Sequence, residues 1–446
     1  MKKIHGKGKI ILYALSGMGI NMLNLMMGSY LCSALLVGGF AAKDVPFQTF
    51  AGHDLVIAGV WAVFGLIAKI LDGVIDIPMA AFTDGLRTRF GRRRPALLMG
   101  LIPLVLAYAA FLIIPNPAGA TMLNTVYYGV VLCIFYSFYT LTMVNYYATF
   151  TEIVETEHER NLLSNAKSVF DIVYFILGYV AVRMLLNGMN ITRVALIVLP
   201  IALTMLIPLF MIKEPDMRSG KAAQKLPRLS LTKSLAFTFR DKPFILWMCV
   251  YAFMTFGVQL FLGGINEYFS HVGMSMIFVM IAAFAPVPFT LMLYDKILRR
   301  RGFGFAYRYI LVTYIIGMMA MFGVSYLAPG MTKTVLSIVT GLISSFAIGA
   351  MFAVAYSLPS QFAAEEEQKN GVSHSAMYFA VQGLFAGVAT GIGSAVVLTA
   401  LKGTEGQHSD AIRYLTPICA AGILVSLLLS FLLPKKVLDM GREEKK

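Results

Sequence analysis

The run Asp84-Gly85-Leu86-Arg87-Thr88-Arg89-Phe90-Gly91-Arg92-Arg93-Arg94-Pro95 closes one long apolar stretch and opens the next. A second basic run, Asp295-Lys296 followed by Arg299-Arg300-Arg301-Gly302, does the same in the other half of the chain. The two leading aspartates are 211 residues apart. The same shift carries the acidic group Glu152, Glu155, Glu157 and Glu159 close to Glu365-Glu366-Glu367. Two unusual loops recurring at one offset are the mark of an internal duplication. The chain reads as two related halves.

Between these loops the chain is apolar. Hydrophobic residues make up 58% of the 446 and charged residues only 13%, with a mean hydropathy of +0.74. That is too little charge to cover a soluble protein of this size. The apolar blocks match the roughly 20 residues an α-helix needs to cross a bilayer, and exceed the about 10 of an outer-membrane strand. They predict spans near 10–38, 54–83, 95–115, 122–150, 165–186 and 191–212, then 244–265, 274–294, 308–328, 333–358, 373–401 and 412–433. The expectation is an all-α integral membrane protein of twelve transmembrane helices in two six-helix pseudo-repeats. Lys213 to Lys242, with Pro215, Gly220, Pro227 and eight basic residues, is the one substantial break. It separates an N-terminal bundle (1–213) from a cytoplasmic central loop (214–242) and a C-terminal bundle with a short tail (243–446).

The formal net charge of +14 follows the positive-inside rule rather than a nucleic-acid footprint. With both termini in the cytoplasm, about 30 of the 37 Lys and Arg residues fall in inside loops and tails. No nucleic-acid partner is expected; the lipid bilayer and its anionic headgroups are. Met1-Lys2-Lys3 precedes an apolar run too long for a cleaved signal, so that run reads as the first span. Cys32, Cys133, Cys249 and Cys419 all fall inside spans with no metal-like spacing. No cofactor or metal is expected.

Ionisable residues inside a bilayer are costly, so each needs an explanation. The second span holds Lys69, Asp72 and Asp76, within about 60° of one another on a helix. Counted back from Asp84, Asp72 lies about 18 Å deep and Asp76 about 12 Å, near the middle of a core about 30 Å thick. Two carboxylates one turn apart repel in a low dielectric, so one takes up a proton or a cation sits between them. One Lys does not neutralise two Asp; the bland alternative is that Lys69 merely locks the helix to Asp72. Thr140, about 18 Å from Glu152 on the fourth span, stands level with Asp72 and offers a further hard oxygen. Asn145, Tyr146 and Tyr147 follow, amide and aromatic groups suited to sugars or to ordinary packing. Lys167 and Asp171, at i and i+4 of the fifth span, either satisfy each other or face solute as donor and acceptor. Glu267 is expected at the outer interface.

Two six-helix repeats with both termini inside and a basic central loop describe the major facilitator architecture, whose solute sits near the midplane between rocking halves. The run from Asp84 resembles that superfamily's loop between its second and third helices. Its physical logic is a charged latch, Asp84 meeting Arg87, Arg92 or Arg93 when the cytoplasmic side closes; the alternative is a loop that only sets topology. Lys69-Ile70-Leu71-Asp72-Gly73-Val74-Ile75-Asp76-Ile77-Pro78, with Phe90-Gly91-Arg92-Arg93-Arg94-Pro95 behind it, resembles the glycoside–pentoside–hexuronide:cation symporters, the melibiose permease family. Asn145-Tyr146-Tyr147-Ala148-Thr149-Phe150-Thr151-Glu152 and Lys369-Asn370-Gly371-Val372 match two further family segments. The resemblance implies that Asp72, Asp76 and Thr140 bind the coupling cation and that Tyr147 and Phe352 pack on the sugar. It also marks departures. Ile75 stands where the family has a sodium-assisting asparagine, and Gly17, Met143 and Gly387 stand where it has sugar-binding aspartates and a lysine. Asn21, Lys69, Asn145, Lys167 and Asp171 are the candidates to read another solute, an anionic one such as a uronide in the case of Lys167.

The expected function is Na⁺- or H⁺-coupled symport of a small polar solute (a glycoside, oligosaccharide or uronide) by alternating access. The expected setting is the bacterial inner membrane, with the protein as a monomer. The chain carries no Walker-type phosphate loop and no hydrolase or zinc-protease motif, so an enzyme is not expected. Two other readings stand. An exporter of amphiphilic compounds would suit the 27 Met residues. A non-transporting sensor would usually carry a long cytoplasmic tail, and only Pro434 to Lys446 follows the last span.

Overall fold

The computed structural model describes residues 3–4, 6–84, 86–154, 157–214, 216, 239–370, 375–403 and 410–440. Among them ten helices are each long and apolar enough to cross a membrane, and eleven when one bent pair counts as a span. In chain order the spanning elements are α1 (Lys7–Leu35), α2 (Ala58–Val74 and Asp76–Asp84), α3 (Arg93–Phe111) and α4 (Met122–Ile153). Next come α5 (Glu157–Ile176, continued to Leu186) and α6 (Ile191–Met211). After the central loop come α7 (Lys242–Gly263), the bent α8 (Met276–Phe284 and Val287–Arg301, 41°), α9 (Phe303–Ser325), α10 (Met331–Asn370), α11 (Ser375–Thr390, continued to Lys402) and α12 (Asp410–Leu432). The span missing from the apolar set is α2. It is broken at Ile75 and carries Lys69, Asp72, Asp76 and Asp84. The membrane helix least like a membrane helix is the one expected to carry the site.

Local sequence explains several helix starts. The side chains of Thr121, Asn190 and Asp241 accept hydrogen bonds from the backbone N–H groups of Asn124, Thr192 and Phe244, capping α4, α6 and α7. α10 runs 40 residues, past the end expected from its apolar block. Helices held by their own backbone bonds can continue beyond the hydrocarbon, and hydropathy does not see that extension.

The chain divides into two compact units, Met1–Leu35 with Pro46–Arg228, and Leu36–Val45 with Leu229–Lys446. In the first, α1 packs on α5 and α6, while α4 packs on α2 and α3. In the second, α7 packs on α11 and α12, while α10 packs on α8 and α9. The two packing patterns are the same under a shift of six helices. Even an irregularity repeats: a π-helical turn interrupts α5 at Leu177–Ala181 and the continuation of α11 at Gly391–Val397. Backbones approach closely inside the first unit. A Cβ on Gly19 of α1 would lie 2.0 Å from the Ile201 carbonyl oxygen of α6, the small-residue packing that membrane helices use.

The second unit contains a ten-residue piece from between α1 and α2. Ser270 accepts a hydrogen bond from the Ala41 N–H at 3.0 Å and donates one to Asp44 at 2.5 Å. Gly39 has φ +86° and faces Glu267, whose Cβ would lie 3.2 Å from any added side chain. Glu267 is not at the interface with water or headgroups. It is 0% exposed and accepts a 2.8 Å hydrogen bond from Lys402 Nζ. The Phe40 ring lies 5.0 Å from that ammonium. The apolar wall that buries this pair comes partly from the inserted segment, which sequence periodicity does not reveal.

Candidate functional site

The first unit brings the α2 charges together with α4. Thr140 Oγ1 donates to Asp72 Oδ1 at 3.0 Å. Lys69 Nζ stands 4.0 Å from Asp72 Oδ2 and 3.7 Å from the centre of the Tyr136 ring, one turn before Thr140. Desolvated, such a cation–π contact is worth about 2 kcal/mol. Lys69 is thus held by an aromatic face as well as by one carboxylate. Asp76, one turn further along α2, forms no hydrogen bond or ion pair with another described residue. The helix is interrupted at Ile75, between the two aspartates. Pro78 has no N–H, so the Val74 carbonyl lacks its usual i+4 donor. The lysine and two carboxylates sum to one negative charge when all are ionised, and the Thr140 hydroxyl adds one more oxygen beside Asp72. Carboxylate and hydroxyl oxygens are the ligand type that hard cations take.

A second cluster joins three helices of the same unit. Asp171 on α5 accepts a hydrogen bond from Asn21 Nδ2 of α1 at 3.3 Å and is paired with Lys167. Tyr139 of α4 donates to Asn21 Oδ1 at 3.2 Å. Tyr147, 42% exposed, has its ring 5.7 Å from Lys167 Nζ. A Cβ on Gly17 would meet the Tyr146 ring at 2.7 Å and Lys167 Cε at 3.2 Å. Gly17 therefore leaves room for the Tyr146 ring and for a lysine stem arriving from α5. Asn21, Lys167, Asp171 and Tyr147 form one polar, aromatic-walled group.

Asn145 does not join them. It is fully buried, donating to the Leu141 carbonyl at 2.7 Å and accepting from Arg93 Nη1 at 3.4 Å. The cause is helical phase: five residues beyond Thr140 rotate it about 140° away, whereas Tyr136 and Tyr147 come within about 40° of Thr140. Of the latch residues, Arg87 is exposed and Arg92 half-buried. Arg93 is buried, and its backbone N–H donates to Glu214 Oε2 at 2.8 Å, at the N-terminal end of α3. Gly91, at φ +89°, makes room for that glutamate; an added Cβ would lie 2.3 Å from Glu214 Cβ. The side chains of Asp84 and Phe352 lie outside the described residues, as does most of the central loop, 217–238. Sequence reasoning missed Tyr136, Tyr139 and Glu214; for the two tyrosines the signal was their helical phase.

Comparison with known proteins agrees with this architecture. Residues 12–433 match the family described as MFS/sugar transport protein. A stretch of 128 residues is 30% identical to an uncharacterized symporter of Synechocystis, sll1374, covering 28% of this chain and only 24% of that relative's length. The fold is similar to that of the nucleoside transporter NupG, with TM-score 0.64 at 14% identity over 96% of this chain and 99% of that one. It is also similar to a bacterial homologue of the iron transporter ferroportin, with TM-score 0.62 at 14% identity over 96% and 98% of the two chains. At such identities the likeness is one of fold.

Proposed function

Because the chain belongs to the MFS/sugar transport protein family, we propose that it is a symporter driven by Na⁺ or H⁺, similar to the melibiose permease group, for a small polar solute. It is a multi-pass membrane transporter of the major facilitator type and not an enzyme. The observation that carries the proposal is the 3.0 Å Thr140–Asp72 hydrogen bond beside the second carboxylate of Asp76. A site with one uncompensated negative charge is expensive in a low dielectric. One bound cation, or one proton on a carboxylate, brings it to neutrality and lets the alternating-access step proceed. Solute and cation are thereby linked: each improves the other's affinity by the same factor.

The solute-reading group is Asn21, Lys167, Asp171 and Tyr147, with Tyr139 orienting Asn21 and with Lys69 nearer the cation. Hydroxyl-rich solutes match alternating donors and acceptors beside an exposed aromatic ring. Lys167 offers a positive charge to a carboxylated sugar, so a glycoside, an oligosaccharide or a uronide is the solute class. The cell inner membrane, with both termini cytoplasmic, is the proposed setting, in keeping with the basic inside loops. The symporter named among the relatives supports ion coupling.

The test is charge movement in proteoliposomes on adding a panel of glycosides and uronides, with and without sodium. A neutral glycoside carried with one cation gives a current; a uronide carried with one cation gives uptake without current. No uptake of any member of the panel by folded protein would reject the solute class.

A further inference from the structure

The second unit holds a cavity that the proposed transport chemistry does not use. α7, α8, α9 and α10 line a cavity that, with its open mouth included, holds about 810 Å³ of non-atom space. Five of its lining residues are methionines: Met254, Met280, Met318, Met321 and Met351. Tyr251, Phe261, Phe284 and Tyr314 add aromatic wall. None of the lining residues carries a formal charge.

Polar side chains are few: Thr255, Gln259 and the Tyr251 hydroxyl on α7, the Tyr314 hydroxyl on α9 and Ser344 on α10. The Ser344 hydroxyl is already donated to the Thr340 carbonyl at 2.9 Å. Thr255 and Gln259, one turn apart on α7, line the cavity and form no hydrogen bond with another described residue. A sugar placed here would leave most of its hydroxyls unpaired, at about 1–3 kcal/mol for each buried group. An ion would find no countercharge. A hydrocarbon chain or ring system, by contrast, gains about 25 cal/mol per Å² of apolar surface it buries. Thioether side chains adapt to its shape. A single polar end would meet Thr255 and Gln259.

We propose that this cavity is a ligand site for an uncharged lipophile with one hydroxyl or carbonyl end. The site stands on its own walls and does not depend on the coupling reading.

The chain supplies its own reporter. It has two tryptophans, and the Trp247 ring lies 5.9 Å from the ring of Tyr251 in the cavity wall. In Trp61→Phe, Trp247 is the sole tryptophan, and titration with 11-bromoundecan-1-ol reads occupancy by heavy-atom quenching. The expected result is saturable quenching that excess undecan-1-ol reverses and that Ala283→Phe, which fills the cavity, abolishes. Reconstitution in dibrominated phosphatidylcholine distinguishes the source of the chain. Quenching there that Ala283→Phe removes assigns the site to a lipid tail, and its absence assigns it to a free alcohol. Quenching that rises linearly with the bromoalcohol and is not reversed by undecan-1-ol overturns the proposal, whether or not Ala283→Phe folds.

Discussion

The Lys402–Glu267 pair makes a sharp stability prediction. Its charged atoms are 2.8 Å apart, and the two side chains are 3% and 0% exposed. At that separation, with an effective dielectric constant of 20, the attraction is about 6 kcal/mol. Lys402→Met removes it and also removes the cost of burying the ammonium, but it leaves a carboxylate buried without its lysine. The net loss expected is about 3–5 kcal/mol. At about 2–4 °C per kcal/mol for a unit of this size, the unfolding midpoint should fall by about 6–20 °C. Replacing both residues, as in Glu267→Met with Lys402→Met, removes both charges at once and should recover most of that loss, since apolar replacements of buried pairs are often neutral or stabilising. The assay is thermal unfolding in detergent followed by Trp247 fluorescence, in a Trp61→Phe background and at one scan rate for all variants. A double variant as unstable as the sum of the singles, or singles within about 2 °C of wild type, would refute the reasoning.

Two further predictions concern the first unit. Thr140→Ala removes a hydrogen bond to a charged acceptor, worth about 1.5–3 kcal/mol, so half-activation of uptake should need about 10- to 150-fold more coupling cation, with the maximal rate less affected; titration of uptake against cation concentration checks this. Lys167→Ala frees Asp171 from its ammonium and removes the positive charge beneath Tyr147, so uptake of a uronide should suffer more than uptake of a neutral glycoside. Equal loss for both solutes, or none, would contradict the role given to Lys167.

How much of this was legible in the sequence depends on whether the relation was local. Helical rise is regular, so counting 1.5 Å per residue from two loops placed Thr140 level with Asp72, and the hydrogen bond between them follows. The same regularity groups Lys69, Asp72 and Asp76 on one face. Asn145 follows Thr140 closely on α4 but points to another face, because five residues turn a helix by about 140° beyond a full turn. Its partner Arg93 lies on another helix, at a distance in sequence that no periodicity encodes. Glu267 and Lys402 are 135 residues apart and are covered by a segment inserted from between α1 and α2. Each looks like an ordinary helix-end charge by itself, and only the assembled unit shows why neither is solvated. The duplication was legible because repeats copy local sequence, and the matching π-helical turns in α5 and α11 were not, since hydropathy carries no trace of a widened turn.

The most direct test of the coupling claim separates solute binding from driven uptake in Asp76→Asn. This change keeps the side chain's size and leaves the Thr140–Asp72 hydrogen bond in place, but it removes one of the two carboxylates. Solute binding by calorimetry and gradient-driven uptake in proteoliposomes should be measured on the same preparation, with wild type alongside. The account predicts that Asp76→Asn still binds solute but no longer concentrates it in response to a sodium or proton gradient. Normal concentrative uptake by Asp76→Asn would contradict it.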